Sequence, residues 1–339
     1  MDRYLEVENL YKVYNKNQKE KKITAVKGIS FGGYSGEILG ILGPNGSGKT
    51  SIIKSIATLI EFEKGSIEVL GTNIQKKRKQ VLQNMGAVLE GARNVYWNLS
   101  PIENMIYFAG LKGLGKRDVN TRIERYLSFL DLEKVANKPL RQFSKGMQQK
   151  VAIACSLIAD PKLVLLDEPT LGLDIETSRN MQEFIKAESK ENKLFVITSH
   201  DMKFIEKTCS RVLVIREGEI IAGDSIENLK TYFKKSAFKI TVENGLPPEF
   251  FRDLSLISDF RKETPKEDEN GEDGVELYFL FDTPEVIYSI IDVLKQHSAI
   301  LTSIDIVKDD FEDIFLRILK EQNNESVSAT IKGKIDENI

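Results

Sequence analysis

The apolar residues of the chain follow two periods, one typical of strands and the other typical of helices. Residues 4–10 and 23–31 alternate like paired strands, and a polar, lysine-rich turn at 15–22 separates them. A continuous apolar run follows at 38–42, then a glycine-rich loop, and apolar residues return at helical spacing over 52–60. The pattern therefore predicts a strand, a loop and a helix in succession.

The middle of the chain, over about 98–137, is predicted to be mostly helical. Its first helix has a clear start signal, because Ser100 is followed by a proline and, three residues later, by a glutamate. Farther on, the short apolar runs 163–166 and 194–197 are separated by a helical segment over 175–190. This alternation predicts an α/β fold in which helices cover both faces of a parallel sheet.

The pattern changes near residue 232, and the remainder predicts a small α+β domain. Strands are expected at 238–243, 256–262, 275–281 and 300–307, and helices at 248–254, 284–296 and 310–320. Their order is that of a ferredoxin-like module with one added helix. The charged segment 263–274 is expected to be a mobile loop, and 323–339, which lacks apolar periodicity, is predicted to be a disordered tail.

Composition and charge narrow the class of protein. The 339 residues are 41% hydrophobic and 29% charged, with a formal net charge of −3, which gives no reason to expect nucleic acid as a partner. Cys155 and Cys209 lack metal-ligand spacing and are interpreted as reduced structural thiols of a cytosolic protein. No apolar run approaches the roughly 20 residues that span a bilayer, and the N-terminus lacks the features of a signal peptide. If the protein works at a membrane, another chain is expected to supply the membrane part.

The glycine-rich loop at 43–50 reads Gly-Pro-Asn-Gly-Ser-Gly-Lys-Thr and matches a phosphate-binding loop. Its glycines allow successive backbone N–H groups to point at phosphate oxygens, and the following helix adds its positive end. Lys49 is expected to reach the β and γ phosphates, and the Thr50 hydroxyl to bind Mg²⁺. Because a strand precedes the loop and a helix follows it, a glycine-rich turn without function is disfavoured. The predicted nucleotide ligands here are Gly43, Pro44, Asn45, Gly46, Ser47, Gly48, Lys49, Thr50 and Ser51.

A second motif, at 163–168, is an apolar strand that ends in two acids, Asp167 and Glu168. In a parallel sheet such acids lie at the edge where ligands bind. Asp167 is predicted to hold Mg²⁺, directly or through water, and Glu168 to take a proton from the attacking water. By themselves the two acids would more simply end a strand at the surface, but their pairing with the phosphate-binding loop favours the functional interpretation.

These motifs, in this order, resemble the ABC ATPases over about residues 1–230. The segment Phe-Ser-Lys-Gly-Met-Gln at 143–148 resembles a variant of the LSGGQ signature, which separates this family from other phosphate-loop ATPases. The resemblance implies that Ser144 and Gly146, with Gln148, contact the γ-phosphate held by a second subunit. The alternative is an ordinary serine N-cap with a nearby glycine.

Three further segments carry the resemblance. Leu-Gly-Leu-Asp, ending at Asp174, resembles the D-loop that crosses the dimer interface in the family. Thr-Ser-His, ending at His200, resembles the switch region, which implies that His200 bonds the γ-phosphate and helps to position water. Near the N-terminus, the family pattern implies that Tyr14 stacks on adenine. Tyr11 is the rival candidate, and a packing role for either tyrosine remains open.

The sequence departs from the family pattern at three places. Glu90 stands where the family has a glutamine that touches the metal or the attacking water; a carboxylate can bind Mg²⁺, so Glu90 is a predicted metal ligand. Lys-Gly-Met at 145–147 replaces Gly-Gly-Gln, which brings a positive charge toward a phosphate. The segment 93–97 contains the single tryptophan, Trp97, where the family receives a helix of the permease. For Trp97, an interface role and core packing are both open.

The resemblance implies an ATPase subunit, with ATP and Mg²⁺ as cofactors, that pairs with a second subunit and energises a separate membrane permease from the cytoplasmic face of the membrane. The expected organisation is an ATPase domain over 1–231, containing a helical subdomain at about 91–145, and an accessory domain over 236–322 that packs or binds a ligand. Residues 311–317 resemble the ending of ATPases from bacterial drug, antibiotic and polysaccharide exporters, so export is the expected direction. The alternative is a soluble ABC ATPase acting on a non-membrane assembly.

Overall fold

The chain folds into two compact units, Met1–Asn228 and Leu229–Arg317. The computed structural model describes residues 2–16, 22–91, 94–232, 236–243, 245–258, 260–263, 274–281, 285–307 and 315. Most of the predicted loop at 263–274, the predicted helix 310–320 apart from Phe315, and the predicted tail 323–339 lie outside these residues. None of the helices in the described ranges has the length and apolar character that crossing a bilayer requires.

Two sheets form the framework of the first unit. Its strands are β1 (Arg3–Tyr14), β2 (Ile23–Tyr34), β3 (Ile38–Leu42), β4 (Lys64–Val69), β5 (Thr72–Asn73), β6 (Met85–Val88), β7 (Leu163–Asp167), β8 (Leu194–Ser199), β9 (Arg211–Arg216) and β10 (Glu219–Ser225). The smaller sheet is antiparallel with the order β2-β1-β4-β5, and the larger has the order β10-β9-β3-β8-β7-β6. All neighbours in the larger sheet are parallel except the pair β9 and β10.

Helices accompany both sheets and complete the predicted α/β architecture. They are α1 (Lys49–Ile56), α2 (Arg78–Gln83), α3 (Pro101–Leu111), α4 (Lys116–Phe129), α5 (Lys145–Leu157), α6 (Ile175–Ser189), α7 (Met202–Thr208) and α8 (Ile226–Tyr232). The predicted start of α3 is confirmed. Its Ser100 hydroxyl accepts the Glu103 N–H at 3.3 Å, and the Glu103 carboxylate accepts the Ser100 N–H at 2.8 Å.

The central strands explain where a ligand site can form. Every residue of β3, β7 and β8 is buried, as expected for strands covered on both faces. The register pairs Leu42 with Ser199 and Asp167 with Thr198. The carboxyl ends of the three strands therefore meet at one edge of the sheet, beside the loop that joins β3 to α1.

The second unit is an antiparallel sheet with two helices. Its elements are β11 (Ser236–Glu243), α9 (Pro248–Ile257), β12 (Phe260–Glu263), β13 (Gly274–Phe281), α10 (Val286–Gln296) and β14 (Leu301–Val307). The strand order β12-β13-β11-β14 is the ferredoxin-like order that the sequence predicted. Side chains of both helices, including Phe250 and Ile290, share one buried core with Ile240 and Leu277 of the sheet.

One boundary in this unit was predicted wrongly. The strand expected over 256–262 begins only at Phe260, because α9 continues to Ile257. Phe250, Leu254 and Ile257 follow a helical spacing and all contact the core of the unit, so the apolar residues near 256 complete a helix.

Candidate functional site

Two glycines of the loop 43–50 could not be replaced by any other residue without movement of their neighbours. A Cβ atom at Gly43 would lie 2.2 Å from the Ile215 carbonyl oxygen. At Gly48, where φ is +109°, a Cβ would lie 2.3 Å from the Ala25 carbonyl oxygen. Because Gly48 precedes α1 directly, the unbonded N–H groups of the first helical turn open into the loop. The result is a compact cradle of backbone N–H groups suited to phosphate oxygens.

Lys49 lies inside this cradle. Its ammonium donates to the Gly43 carbonyl at 2.7 Å and to the Pro44 carbonyl at 3.2 Å, and the residue is only 6% exposed. Burial lowers the pKa of Lys49. The carboxylates of Glu168 and Asp167, and more weakly that of Glu90, act in the opposite direction. The single cation of the loop therefore faces three carboxylates.

Asp167 connects the loop to the end of β7. The Thr50 hydroxyl lies 3.3 Å from Asp167 Oδ1, and the Thr198 hydroxyl donates to the same oxygen. Asp167 is 1% exposed, and its second oxygen, Oδ2, is buried without a hydrogen-bond partner among the described residues. The Ser47 hydroxyl is likewise buried without a hydrogen-bond partner among the described residues. A buried carboxylate oxygen without a partner beside a threonine hydroxyl is a donor set that suits Mg²⁺.

Glu168 and His200 form the second part of the site. Glu168 Oε2 lies 2.8 Å from His200 Nδ1, with the carboxylate side chain 8% exposed and the imidazole 52% exposed. Glu168 adopts a left-handed backbone conformation, with φ at 49°, and its N–H bonds to the Thr198 carbonyl at 3.0 Å. This is an uncommon conformation for glutamate. A carboxylate held next to an imidazole can accept a proton from water.

Thr198 was not assigned a role from the sequence. Its hydroxyl bonds to the Asp167 carboxylate and also lies 3.2 Å from the Glu168 N–H, so it joins the two acids. Its place at the end of a buried strand, two residues before His200, is the signal that could have indicated this role.

A cleft of about 500 Å³ opens beside these acids. It is lined by Leu89, Glu90, Gly91, Asn94, Val95, Trp97, Lys145, Gln148, Gln149, Ala152, Asp167, Glu168 and Leu171. Glu90, a predicted metal ligand, therefore shares one cleft with the predicted ligand Asp167. Trp97 is 47% exposed, which argues against the core-packing alternative. Arg93, in the same sequence segment, lies outside the described residues.

The two tyrosine candidates have different surroundings. The Tyr14 hydroxyl lies 3.2 Å from the Ser51 hydroxyl, beside the phosphate-binding loop, and the Lys12 ammonium is 4.8 Å from the centre of its ring. Tyr14 is 37% exposed. Tyr11 packs against Gly28, where a Cβ would lie 2.6 Å from the tyrosine hydroxyl. The position of Tyr14, exposed and next to the loop, is the one that suits stacking on a base.

The signature and D-loop residues make their contacts on α5 and α6. The Ser144 hydroxyl caps α5 by accepting the Met147 N–H at 3.2 Å, and Asp174 caps α6 by accepting the Thr177 N–H at 2.8 Å. Gln148 Nε2 donates to the carbonyls of residues 140 and 143, which holds the turn before α5. A Cβ at Gly146 would lie 2.9 Å from Thr177, so α5 and α6 approach closely there. The N-cap interpretation of Ser144 is thus realised within one chain, whereas a contact with a second subunit stays a prediction.

Comparisons with known proteins agree with this geometry. The ABC transporter family model matches residues 26–171. The ABC transporter ATP-binding protein NatA of Bacillus subtilis is 39% identical over 211 residues, which are 62% of this chain and 86% of NatA. The linearmycin resistance ATP-binding protein LnrL of the same organism is 31% identical over 252 residues, 71% of this chain and 79% of LnrL.

Solved structures share the fold. The ATP-binding subunit of an ABC transporter matches with a TM-score of 0.61 at 25% identity, over 68% of this chain and 93% of that one. A dimeric bacterial ABC transporter cassette matches with a TM-score of 0.58 at 25% identity, over 66% of this chain and 98% of that one. The predicted fold class and the resemblance to ABC ATPases are therefore confirmed. With its phosphate-binding loop, its paired acids and these relatives, the chain belongs to the ABC transporter family as one of its ATP-binding, ATP-hydrolysing subunits.

Proposed function

We propose that this subunit hydrolyses ATP at the edge of its parallel sheet and uses the cycle to drive a separate membrane permease as an exporter. The observation that carries the catalytic part is the convergence of Lys49, Thr50, Asp167 and Glu168 at one end of three adjacent strands. The loop N–H groups and Lys49 would hold the phosphates. Tyr14 would stack on the adenine, next to Ser51.

Thr50, Asp167 and Glu90 are the proposed holders of Mg²⁺. The partnerless oxygen of Asp167 and the adjacent Thr50 hydroxyl support this assignment. The charge of Glu90, which acts on Lys49, supports its membership of the same site. When bound, the ion would neutralise charge on the β and γ phosphates.

Glu168 is the proposed general base and His200 the residue that orients the reaction. Glu168 would remove a proton from the water that attacks the γ-phosphorus, while the bond between that phosphorus and the leaving oxygen breaks. The contact of 2.8 Å between Glu168 Oε2 and His200 Nδ1 supports this pairing, in which His200 would orient the carboxylate and donate to the γ-phosphate. In this chemistry the protein contributes mainly positioning and charge stabilisation.

A second subunit is proposed to complete the site. Ser144, Gly146, Gln148 and Asp174 lie at or near the starts of α5 and α6, and in the head-to-tail dimer they would face the nucleotide of the partner. A solved cassette that resembles this chain is dimeric, which supports the pairing. Closing on two ATP molecules and reopening after hydrolysis would supply the motion.

The permease is proposed to dock at the cleft that contains Glu90 and Trp97. The half-exposed indole on its wall is the kind of side chain that protein interfaces favour. The relative LnrL is a linearmycin resistance ATP-binding protein, which supports export as the direction. The subunit would then sit at the cytoplasmic face of the membrane. We propose residues 1–231 as the ATPase domain, with its helical part at about 91–145, and 236–322 as an accessory packing domain.

Glu168→Gln tests both parts of this proposal in one preparation. The variant is expected to bind ATP normally and to lose about 100-fold or more of its turnover, since a general base contributes at least that much. Held in the ATP-bound state, the tagged full chain is expected to co-purify with a multi-span membrane protein from detergent-solubilised native membranes. Full activity would contradict the role of Glu168, whereas recovery of ribosomes or nucleic acid would favour the soluble alternative.

A further inference from the structure

A group of charges around the buried Lys193 lies away from the nucleotide site, at the other ends of the elements that build that site. Lys193 precedes β8 and is 2% exposed. Its ammonium lies 3.0 Å from Asp160 Oδ1 and 3.3 Å from Glu188 Oε2. Arg125 of α4 also pairs with Glu188, and the Tyr126 hydroxyl donates to Glu188 Oε2 at 3.1 Å. We call these five residues the Lys193 cluster.

A buried ion pair such as that of Lys193 and Glu188 is weak evidence for a role in stability alone. Lys193 and Glu188 are withdrawn from water, with side chains 2% and 4% exposed, whereas Asp160 and Arg125 are about half exposed. Apolar residues often replace a buried ion pair of this kind without loss of stability. Tyr126 is only 1% exposed. Burial raises the pKa of Tyr126, and the charge of Glu188 raises it further. Such directional contacts fix the relative positions of the backbone segments that carry them.

Three residues of the cluster, Asp160, Glu188 and Lys193, lie on segments that lead to different parts of the proposed site. Asp160 lies in the turn between α5, which starts at the signature Ser144, and β7, which ends at the two acids. Glu188 lies near the end of α6, which starts after Asp174. Lys193 begins the path along β8 to His200. These elements span 13, 5, 15 and 6 residues.

The Lys193 cluster is separated from the proposed site by the length of one helix or one strand. Six residues of strand or fifteen residues of helix each cover roughly 20 Å. By contrast, the phosphate-binding loop lies between β3 and α1, and neither element contributes a residue to the cluster. Glu168, the proposed base, is therefore tied to the cluster through β7, whereas Lys49 and the N–H groups of the phosphate-binding loop are not.

We infer that Lys193 is a positioning residue for ATP hydrolysis, which holds the signature helix, the strand of the acids and the strand of His200 in register from their far ends. The inference rests on the proposed function of Glu168 and His200. It predicts that weakening the cluster lowers turnover without weakening ATP binding. A role in stability alone would lower the melting temperature and leave the turnover of the folded protein unchanged.

Lys193→Met in the full chain removes the ammonium and keeps a long side chain. The kcat of ATP hydrolysis is expected to fall about tenfold, since small displacements of reacting groups are expensive. The Kd of ATP is expected to stay within about twofold of the natural value. Lys193→Arg should retain most of the turnover, because it keeps the charge.

Arg179→Gln is the matched control. Arg179 pairs with Glu183 at 3.5 Å on the exposed face of the same helix, α6, with side chains 78% and 61% exposed. Removing this cation should change neither kcat nor Kd, which would show that the effect at Lys193 is not a general consequence of altering charge near α6.

The outcomes separate cleanly. An unchanged kcat for Lys193→Met overturns the inference even if the variant melts earlier, and so does a parallel loss of ATP binding. If Lys193→Met does not fold, Glu188→Gln, which keeps the shape of its side chain, carries the same expectation. An active Glu168→Gln would instead refute the proposed function, whereas an inactive Glu168→Gln beside a fully active Lys193→Met would refute only the role of Lys193.

Discussion

Gly48→Ala tests how closely the shape of the phosphate-binding loop depends on the missing side chain. The residue has φ at +109° and stands directly before α1, while the Ala25 carbonyl of β2 closes the space where a Cβ would go. At 2.3 Å, that carbonyl oxygen is about 1 Å too close for any real Cβ contact. The substitution therefore meets two obstacles, one in the backbone conformation and one in packing.

The magnitude can be worked out from these two terms. A left-handed conformation costs a residue with a Cβ roughly 1–2 kcal/mol, and forcing an extra carbon into packed surroundings costs about 1–3 kcal/mol. The sum is about 2–5 kcal/mol. If the loop relieves this strain by losing its cradle shape, ATP binding weakens by roughly thirtyfold to a few thousandfold, at 1.4 kcal/mol per factor of ten.

Gly46→Ala is the matched control in the same loop. Gly46 has φ at +81°, but a Cβ there would meet nothing within 4 Å. Only the conformational term applies, so ATP binding should weaken by about five- to thirtyfold. The assay is titration of each folded variant with ATP by calorimetry. Wild-type affinity in Gly48→Ala, or an equal loss in both variants, would refute the argument from the Ala25 contact.

Two further predictions concern charge. Glu90→Gln removes one of the three carboxylates that act on Lys49. When the rate of ATP hydrolysis is measured against free Mg²⁺, the concentration that gives half the maximal rate should rise several-fold, roughly as expected for one lost carboxylate ligand. An unchanged concentration would exclude Glu90 from the metal site. Burial by itself would raise the pKa of Asp160, but the hydrogen bond to Lys193 and the nearby positive charges of Lys193, Lys162 and Arg122 together outweigh this, and the pKa is lowered. Its stabilising effect is therefore present above the unfolded pKa of about 3.9 and is lost as pH falls through the lower folded value. Wild type should accordingly resist denaturant better than Asp160→Asn at pH 7, with a difference that shrinks below pH 4, as followed by Trp97 fluorescence; a difference independent of pH would contradict this.

The sequence was sufficient for features that depend on local pattern. The loop 43–50 and the acids after β7 were predictable because each is a short motif in a recognisable setting of strand and helix. The parallel sheet followed from runs of buried residues, and the ferredoxin-like order from the spacing of elements near the C-terminus. The end of α9 was missed because Leu254 and Ile257 fit either a helix or the start of a strand when only a few residues are considered.

Other features depend on residues that are distant in sequence. Thr198 joins Asp167 to the Glu168 backbone across two strands, and only the register of β7 and β8 brings them together. The Lys193 cluster combines three separate stretches of the chain, at 125–126, 160 and 188–193, so no local pattern could indicate it. Trp97 illustrates the same limit, because its half-exposed position was decided by tertiary packing rather than by its neighbours in the chain.

The arrangement of the site separates binding from turnover. Lys49 and Thr50 belong to the loop between β3 and α1, whose shape depends on local glycines and on the Ala25 carbonyl. Glu168 and His200 directly follow β7 and β8, whose far ends meet at Lys193. Substitutions in the loop should therefore raise the Kd of ATP, and substitutions in the Lys193 cluster should lower kcat. Because the dimer would join the loop of one chain to the signature of the other, a displaced α5 should impair hydrolysis at the partner's nucleotide as well. Mixed dimers of wild type with a Lys193→Met/Glu168→Gln double variant should then turn over more slowly than mixed dimers of wild type and Glu168→Gln.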